Sequence, residues 1–202
     1  ENPSFSTLMN DGLFDTIYHE HYSYLSAHSV KKIATNVGLN LFHIDKLSTH
    51  GGSNRYWLSK TKTTESTVLN VLKEEENSGI LNPQKWLLFK KQSTDAIEGL
   101  RNWILEKEKL GSNIVGYGAA HKGNTFLNAV GTIAKKINYV VDASPEKHGR
   151  YLPGSKIPVI PPSYLTKVNP TDILILPWNL ADEISKTIKT KLPKVKVWIA
   201  QP

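Results

Sequence analysis

Two imidazoles, a carboxylate and two phenols occupy five consecutive positions, Tyr18-His19-Glu20-His21-Tyr22. Histidine titrates near neutrality, and a general base works best when its pKa lies close to the operating pH. His21 supported by Glu20 is therefore suited to removing a proton from a carbon beside a ketone, and the enolate so formed is a carbon nucleophile. The same letters fit two other chemistries. As metal ligands, His19 and His21 share a side only in an extended segment, and a third ligand would come from His28, His43 or His50, a choice that spacing does not fix. As structural residues, the histidines would sit at a helix start or in the core.

Further along, His50-Gly51-Gly52-Ser53-Asn54-Arg55 pairs two glycines, which let backbone N–H groups approach a ligand, with the donors of Ser53 and Arg55. That set suits phosphate or sugar hydroxyls, although a plain turn with Arg55 on a solvated face has the same spacing. A second glycine-rich run, Gly116-Tyr117-Gly118-Ala119-Ala120-His121-Lys122-Gly123-Asn124, follows a strand and opens a helix. Such a turn presents unpaired N–H groups to an anion, and Lys122 adds a full charge. The third glycine of the dinucleotide fingerprint falls at His121, and no Lys-Ser/Thr follows Gly123, so neither phosphate-loop pattern is complete. Asp142 stands about 20 residues on, where a dinucleotide fold places its ribose-binding acid, and this keeps a nicotinamide-binding module open. Two more loops lie beyond strand ends, where ligands of open α/β sheets bind: residues 150–154 with Arg150, and Pro177-Trp178-Asn179.

Positioning these groups requires elements that the patterning supplies. Val30, Ile33, Ala34 and Val37 recur at helical spacing and Gly38 follows as a C-cap, which predicts a helix over 26–37. Strands over 39–47 and 54–59 flank the glycine pair. A helical stretch over 64–110, broken at 79–83, carries Ile97, Leu100 and Ile104 as a buried stripe. From residue 113 strands and helices alternate, which favours a parallel sheet with helices on both faces. The fold class is α/β: a Rossmann-like parallel-sheet domain over 111–202, preceded by a helix plus strand pair over 1–62 and a helical connector over 63–110.

Composition narrows the function classes. With 39% hydrophobic and 21% charged residues among 202, the chain is globular rather than disordered. No apolar run reaches the roughly 20 residues of a membrane span, and no signal segment opens the chain, so the cytoplasm is the expected compartment. The absence of cysteine removes disulfides, thiolate chemistry and zinc fingers. A net charge of +7 is compatible with a polyanion, but the lysines are scattered along amphipathic stretches without a dense block, so nucleic acid and membrane are not expected partners.

Taken in order, Tyr18-His19-Glu20-His21, His50-Gly51-Gly52-Ser53 with Arg55, residues 118–124, residues 142–154 and Pro177-Trp178-Asn179 resemble the C-terminal region of the S-adenosylmethionine-dependent sugar C-methyltransferases. The resemblance runs along nearly the whole chain. It implies a multi-domain enzyme acting on a nucleoside-diphosphate 4-keto-deoxysugar, of which this chain holds only the last part. Residues 1–62 then look like the closing elements of a methyltransferase sheet that carry the base motif. By that resemblance His21 is the base, alone or with Glu20, and Tyr18 lies near the reacting carbon. His50, Ser53, Arg55, Gly118, Lys122, Asn124, Arg150, Trp178 and Asn179 bind the substrate, with no metal. The implied reaction is deprotonation at C3 and attack of the enolate carbon on the donor methyl, with S-adenosylmethionine bound mainly by a domain outside this chain. That N-terminal domain is the expected partner besides the nucleotide sugar, a homodimer is allowed, and the 202 residues alone are expected to be inactive. The competing reading is a non-catalytic nucleotide-sugar or NAD(P)-binding module.

Overall fold

The computed structural model describes residues 1–202, the side chain of His50 excepted. The chain forms two compact units, Glu1–Ser93 and Thr94–Pro202.

In the first unit β1 (Asn2–Pro3), β2 (Asn40–Leu47) and β3 (Ser53–Ser59) form an antiparallel sheet in the order β1-β3-β2. Helix α1 (Phe5–Asp11) starts where the Ser4 hydroxyl accepts from the Thr7 N–H and stops at Gly12, whose φ of 71° suits a residue without Cβ. Helix α2 (Ala27–Asn36) opens on a capping box between Ser26 and Ser29 and is followed by Gly38 at φ 73°. Its N-terminus also receives a carboxylate from α3 (Ser66–Asn77): buried Glu75 accepts from the Ala27 N–H at 2.6 Å, the His28 N–H at 3.2 Å and His28 Nδ1 at 2.8 Å. A negative group there satisfies donors that a helix start leaves open and opposes its dipole. Val30 and Ala34 join Leu41, Ile44, Val68, Val71 and Leu72 in the core. Ile33 and Val37, at the same helical spacing, are exposed, because the side of α2 that meets the sheet is narrower than the apolar stripe.

After α3, Gly79 turns the chain at φ 74°, and α4 (Pro83–Lys109) begins with proline at its first position, where the missing N–H costs nothing. The later part of α4 belongs to the second unit, where Leu100 and Ile104 are buried and Ile97 half-buried.

The second unit is a parallel sheet in the order β6-β5-β4-β7-β8, built from β4 (Ile114–Tyr117), β5 (Tyr139–Val141), β6 (Val159–Ile160), β7 (Asp172–Ile175) and β8 (Lys196–Ile199). Strand alternation gives each face its own partners. Val115, Val141, Ile173 and Ile175 pack with Leu165 of α6 (Leu165–Val168) and Ala181 and Ile188 of α7 (Ala181–Lys191). On the other face Leu174 and Trp198 meet Leu100 and Trp103 of α4 and Phe126 of α5 (His121–Val130). The fold is thus the Rossmann-like α/β architecture that the alternating pattern predicts. Successive strands run outward from β4 in one direction and then in the other, so the topological switch, where such sheets open a crevice, lies at the C-terminal ends of β4 and β7.

Candidate functional site

In the first unit a cleft of about 460 Å³ is walled by Glu1, Asn2, Glu20, His21, Tyr22 and Ser53, among others. Two of the sequence constellations therefore meet in one place. The segment following the short 3₁₀ turn Phe14–Thr16 folds back on itself: the His21 N–H donates to the Tyr18 carbonyl at 2.9 Å, and the Tyr18 and His21 rings lie 4.1 Å apart. His21 Nδ1 is 2.8 Å from the backbone oxygen of Thr16. A carbonyl oxygen only accepts, so Nδ1 is the donor, and in the neutral ring Nε2 bears the lone pair. Burial, then the charges of Glu20 and Asp15, push the Tyr18 phenol up, so Tyr18 keeps its proton. The arrangement therefore places an imidazole and a protonated phenol side by side.

The glycine pair has a different local role from the one its letters suggest. Gly52 has φ 133°, and a Cβ there would meet Thr7 Cγ2 at 2.9 Å, so α1 sits directly on the turn. The Gly52 carbonyl accepts from the Ser4 N–H at 3.0 Å, and the Ser53 hydroxyl donates to the Thr49 carbonyl at 3.0 Å. Arg55 pairs with Glu1 at 3.0 Å. The turn is thus held by the first residues of the chain. The His50 side chain lies outside the described residues.

Among the described residues no three His, Asp or Glu side chains converge as a metal site. The third ligands considered from sequence are committed elsewhere: His28 to Glu75 and Glu76, and His43 to Asp45 at 2.9 Å and Glu65 at 2.6 Å.

In the second unit Gly118, Lys122, Asn124, Trp178 and Asn179 gather around the ends of β4 and β7, at the topological switch. Lys122, 7% exposed, holds its ammonium 4.3 Å from the centre of the Trp178 ring. Gly118 and Gly123 are required by packing: a Cβ would meet Pro177 at 2.5 Å and Leu176 at 2.4 Å respectively. The Asn124 side-chain oxygen is buried without a hydrogen-bond partner. Arg150 lies apart from this group on an exposed loop.

Asp142 answers the question of a nucleoside cofactor at this turn. Its Oδ2 accepts from the Ala119 N–H at 2.6 Å and Lys147 Nζ at 3.2 Å, and its Oδ1 accepts from the Ser144 N–H at 2.8 Å. The Gly118 and Ala120 N–H groups donate to the carbonyls of Val141 and Gly118. Three successive amides of the turn and the acid that would meet a ribose are all spent within the protein, and Asp142 is 7% exposed. These residues do not fit NAD or S-adenosylmethionine held in dinucleotide fashion.

Sequence reasoning missed Asp15, Thr16, Glu1, Asn2, Lys147 and His148. Thr16 contributes a main-chain carbonyl, which leaves no trace in residue type. Lys147 and His148 serve the closed turn, His148 Nε2 donating to the Asp142 carbonyl at 2.8 Å, and only the position of Asp142 hinted at such partners.

Residues 48–201 match the family model described as C-methyltransferase C-terminal domain. The chain is also 30% identical over 187 residues to the C-methyltransferase NovU of Streptomyces niveus, an alignment that covers 91% of this chain and 44% of that protein. It spans less than half the length of that relative.

Proposed function

The chain belongs to the C-methyltransferase C-terminal domain family, and from that premise we propose that it supplies the substrate-binding and general-base portion of a methyltransferase acting on a nucleoside-diphosphate 4-keto-deoxysugar. The division into closing catalytic elements (1–62), connector (63–110) and Rossmann-like domain (111–202) is part of this proposal.

The observation that carries it is the fixed imidazole of His21 in a cleft shared with Glu20 and Ser53. With Nδ1 held by the Thr16 carbonyl, Nε2 takes the proton from C3 of the sugar; the C–H electron pair moves into the enolate conjugated with the C4 carbonyl. Because a carbonyl already orients the ring, Glu20 is not needed at Nδ1, and its carboxylate lines the same cleft, where it supports the imidazolium or meets a sugar hydroxyl. Tyr18, still protonated, is a donor near the reacting carbon. Ser53 belongs to the same wall, and His50 and Arg55 to the turn beside it. In the second unit Lys122 suits a phosphate and Gly118, Asn124, Trp178 and Asn179 suit a nucleoside or sugar hydroxyls, while Arg150, on its exposed loop apart from them, is a further candidate cation. S-adenosylmethionine is the methyl donor that family membership implies; the glycine turn does not fit it, so its site would lie outside this chain, and the 202 residues would be inactive alone.

Calorimetric titration tests the proposal. The chain is expected to bind a dTDP-linked 4-keto-deoxysugar and to give no heat with S-adenosylmethionine or NAD alone, and in the longer protein that includes the donor-binding domain His21→Asn is expected to slow solvent exchange of the C3 proton by about 100-fold or more. NAD binding, or exchange indifferent to His21, would overturn it.

A further inference from the structure

Between the buried turn Phe14–Thr16 and the start of α2 at Ala27 the backbone is neither helix nor strand, and His21 lies within that stretch. A ring carried on irregular backbone is held only as firmly as the groups that claim the segment's own carbonyls. Upstream the anchor is burial, since Phe14, Asp15 and Thr16 are all interior. Downstream the anchors are side chains of the sheet. Asn2 of β1 and Asn54 of β3 are directly opposed in the antiparallel register and so share one face; Tyr56, two residues along β3, shares it too. From that face Asn2 Nδ2 donates to the Ser23 carbonyl and the Tyr56 hydroxyl to the Leu25 carbonyl, each at 3.3 Å. Asn54 Nδ2 in turn donates to the Tyr56 oxygen at 3.3 Å. Burial pushes the Tyr56 phenol up, so it retains the proton that it donates.

Stability alone does not account for this row. The Ser23 carbonyl accepts only from the amide nitrogen of Asn2, which fixes Oδ1 as an acceptor, and that oxygen is buried without a hydrogen-bond partner among the described residues. An unmet buried acceptor carries a cost that a nonpolar side chain at the same strand position would avoid. Resting on the reading of His21 as the base, we infer that Asn2 and Tyr56 are positioning residues that pin the carbonyls of Ser23 and Leu25 and thereby hold the His21 imidazole in the cleft. Their part in proton transfer goes through His21. Displacing a reacting group by about 1 Å costs roughly 100-fold in rate, so losing one of two pins while Thr16 still holds Nδ1 is expected to cost about tenfold.

Two near-isosteric variants test this. Asn2→Asp keeps the shape of the side chain and replaces the donor by an acceptor that the Ser23 carbonyl repels. Tyr56→Phe removes only the hydroxyl and keeps the ring packed on the core, so it carries the test should the first variant fail to fold. In the longer protein that includes the donor-binding domain, with a dTDP-linked 4-keto-deoxysugar as probe, each is expected to slow C3 proton exchange at saturating sugar by about tenfold and to change KM by less than about twofold. Variants that exchange at the wild-type rate while His21→Asn does not, or that raise KM alone, overturn the inference. Exchange indifferent to His21 itself would instead sink the base reading. Nitrogen-15 spectra then decide: pinning predicts that Asn2→Asp diminishes the Nδ1–H tautomer of His21, and an unchanged tautomer overturns it.

Discussion

At His21 a single hydrogen bond decides the chemistry that the ring can perform. The Thr16 carbonyl demands a donor, so the neutral tautomer carries its proton on Nδ1. Nitrogen-15 spectra of the neutral ring should show that tautomer at His21, and an Nε2–H tautomer would overturn the proposed role of Nε2. His43 offers a pH test of different origin. Hydrogen bonds from its ring to Asp45 and then Glu65 raise its pKa above the ordinary histidine value, with burial opposing. A raised folded pKa contributes stability that is fully present below the unfolded value and is lost as pH rises through the folded one. Denaturation midpoints should therefore fall across that alkaline-side window, and His43→Asn should flatten this part of the profile. Gly52→Ala should cost on the order of 1–3 kcal/mol in chemical denaturation, since the added carbon strikes Thr7 in a backbone conformation that L-residues resist.

Among the elements, α4 and the strands beside it are joined by a buried charge pair. Lys107 Nζ lies 3.3 Å from Asp172, which also accepts from Trp198 Nε1 and the Thr171 hydroxyl, both at 2.9 Å, while the Trp198 ring covers the ammonium at 4.5 Å. Burial pushes the Asp172 carboxyl up, but the bonds from Trp198, Thr171 and Lys107 outweigh it and hold the pKa below the ordinary aspartate range. Removing one partner strands the other charge, so Lys107→Met should destabilise by about 3–5 kcal/mol in urea unfolding, whereas Lys107→Met combined with Asp172→Leu should recover much of that loss. A single substitution that proved neutral would show the pair to be solvated. The pair sits at the N-terminal end of β7, away from the strand ends that carry the candidate ligand residues, which marks it as structural.

For the whole molecule the basic charge has an architectural explanation. Lysines close the helices of the second unit: Lys107 and Lys109 in α4, Lys135 and Lys136 before β5, Lys167 in α6, and Lys189 and Lys191 in α7. A cation in the last turn offsets the partial negative charge of open carbonyls, so a net charge of +7 arises without a polyanion to neutralise. The chain is accordingly expected to leave a heparin column by about 0.2 M salt, and retention at much higher salt would reveal a nucleic-acid or membrane surface. No helix among the described residues is long and apolar enough to cross a membrane.

Residue order alone determined the alternating α/β half, the helix over 26–37, the strands flanking the glycine pair and the grouping of Tyr18 with His21, because hydrophobic period, caps and turn residues are local properties. Short pieces such as β1, β6 and α1 were not legible, since two-residue strands have no period and a seven-residue helix little more. What only the tertiary structure decided is how each donor and acceptor is spent. In sequence, Asp142 and the incomplete glycine turn after β4 only kept a nicotinamide-binding alternative open, and the folded chain spends their hydrogen bonds on its own amides and Lys147. Gly52 read as room for a ligand, and its room is filled by Thr7. A residue's type states which hydrogen bonds and contacts it can make; the partner that claims them comes from chain segments distant in sequence, and only folding brings that partner within reach.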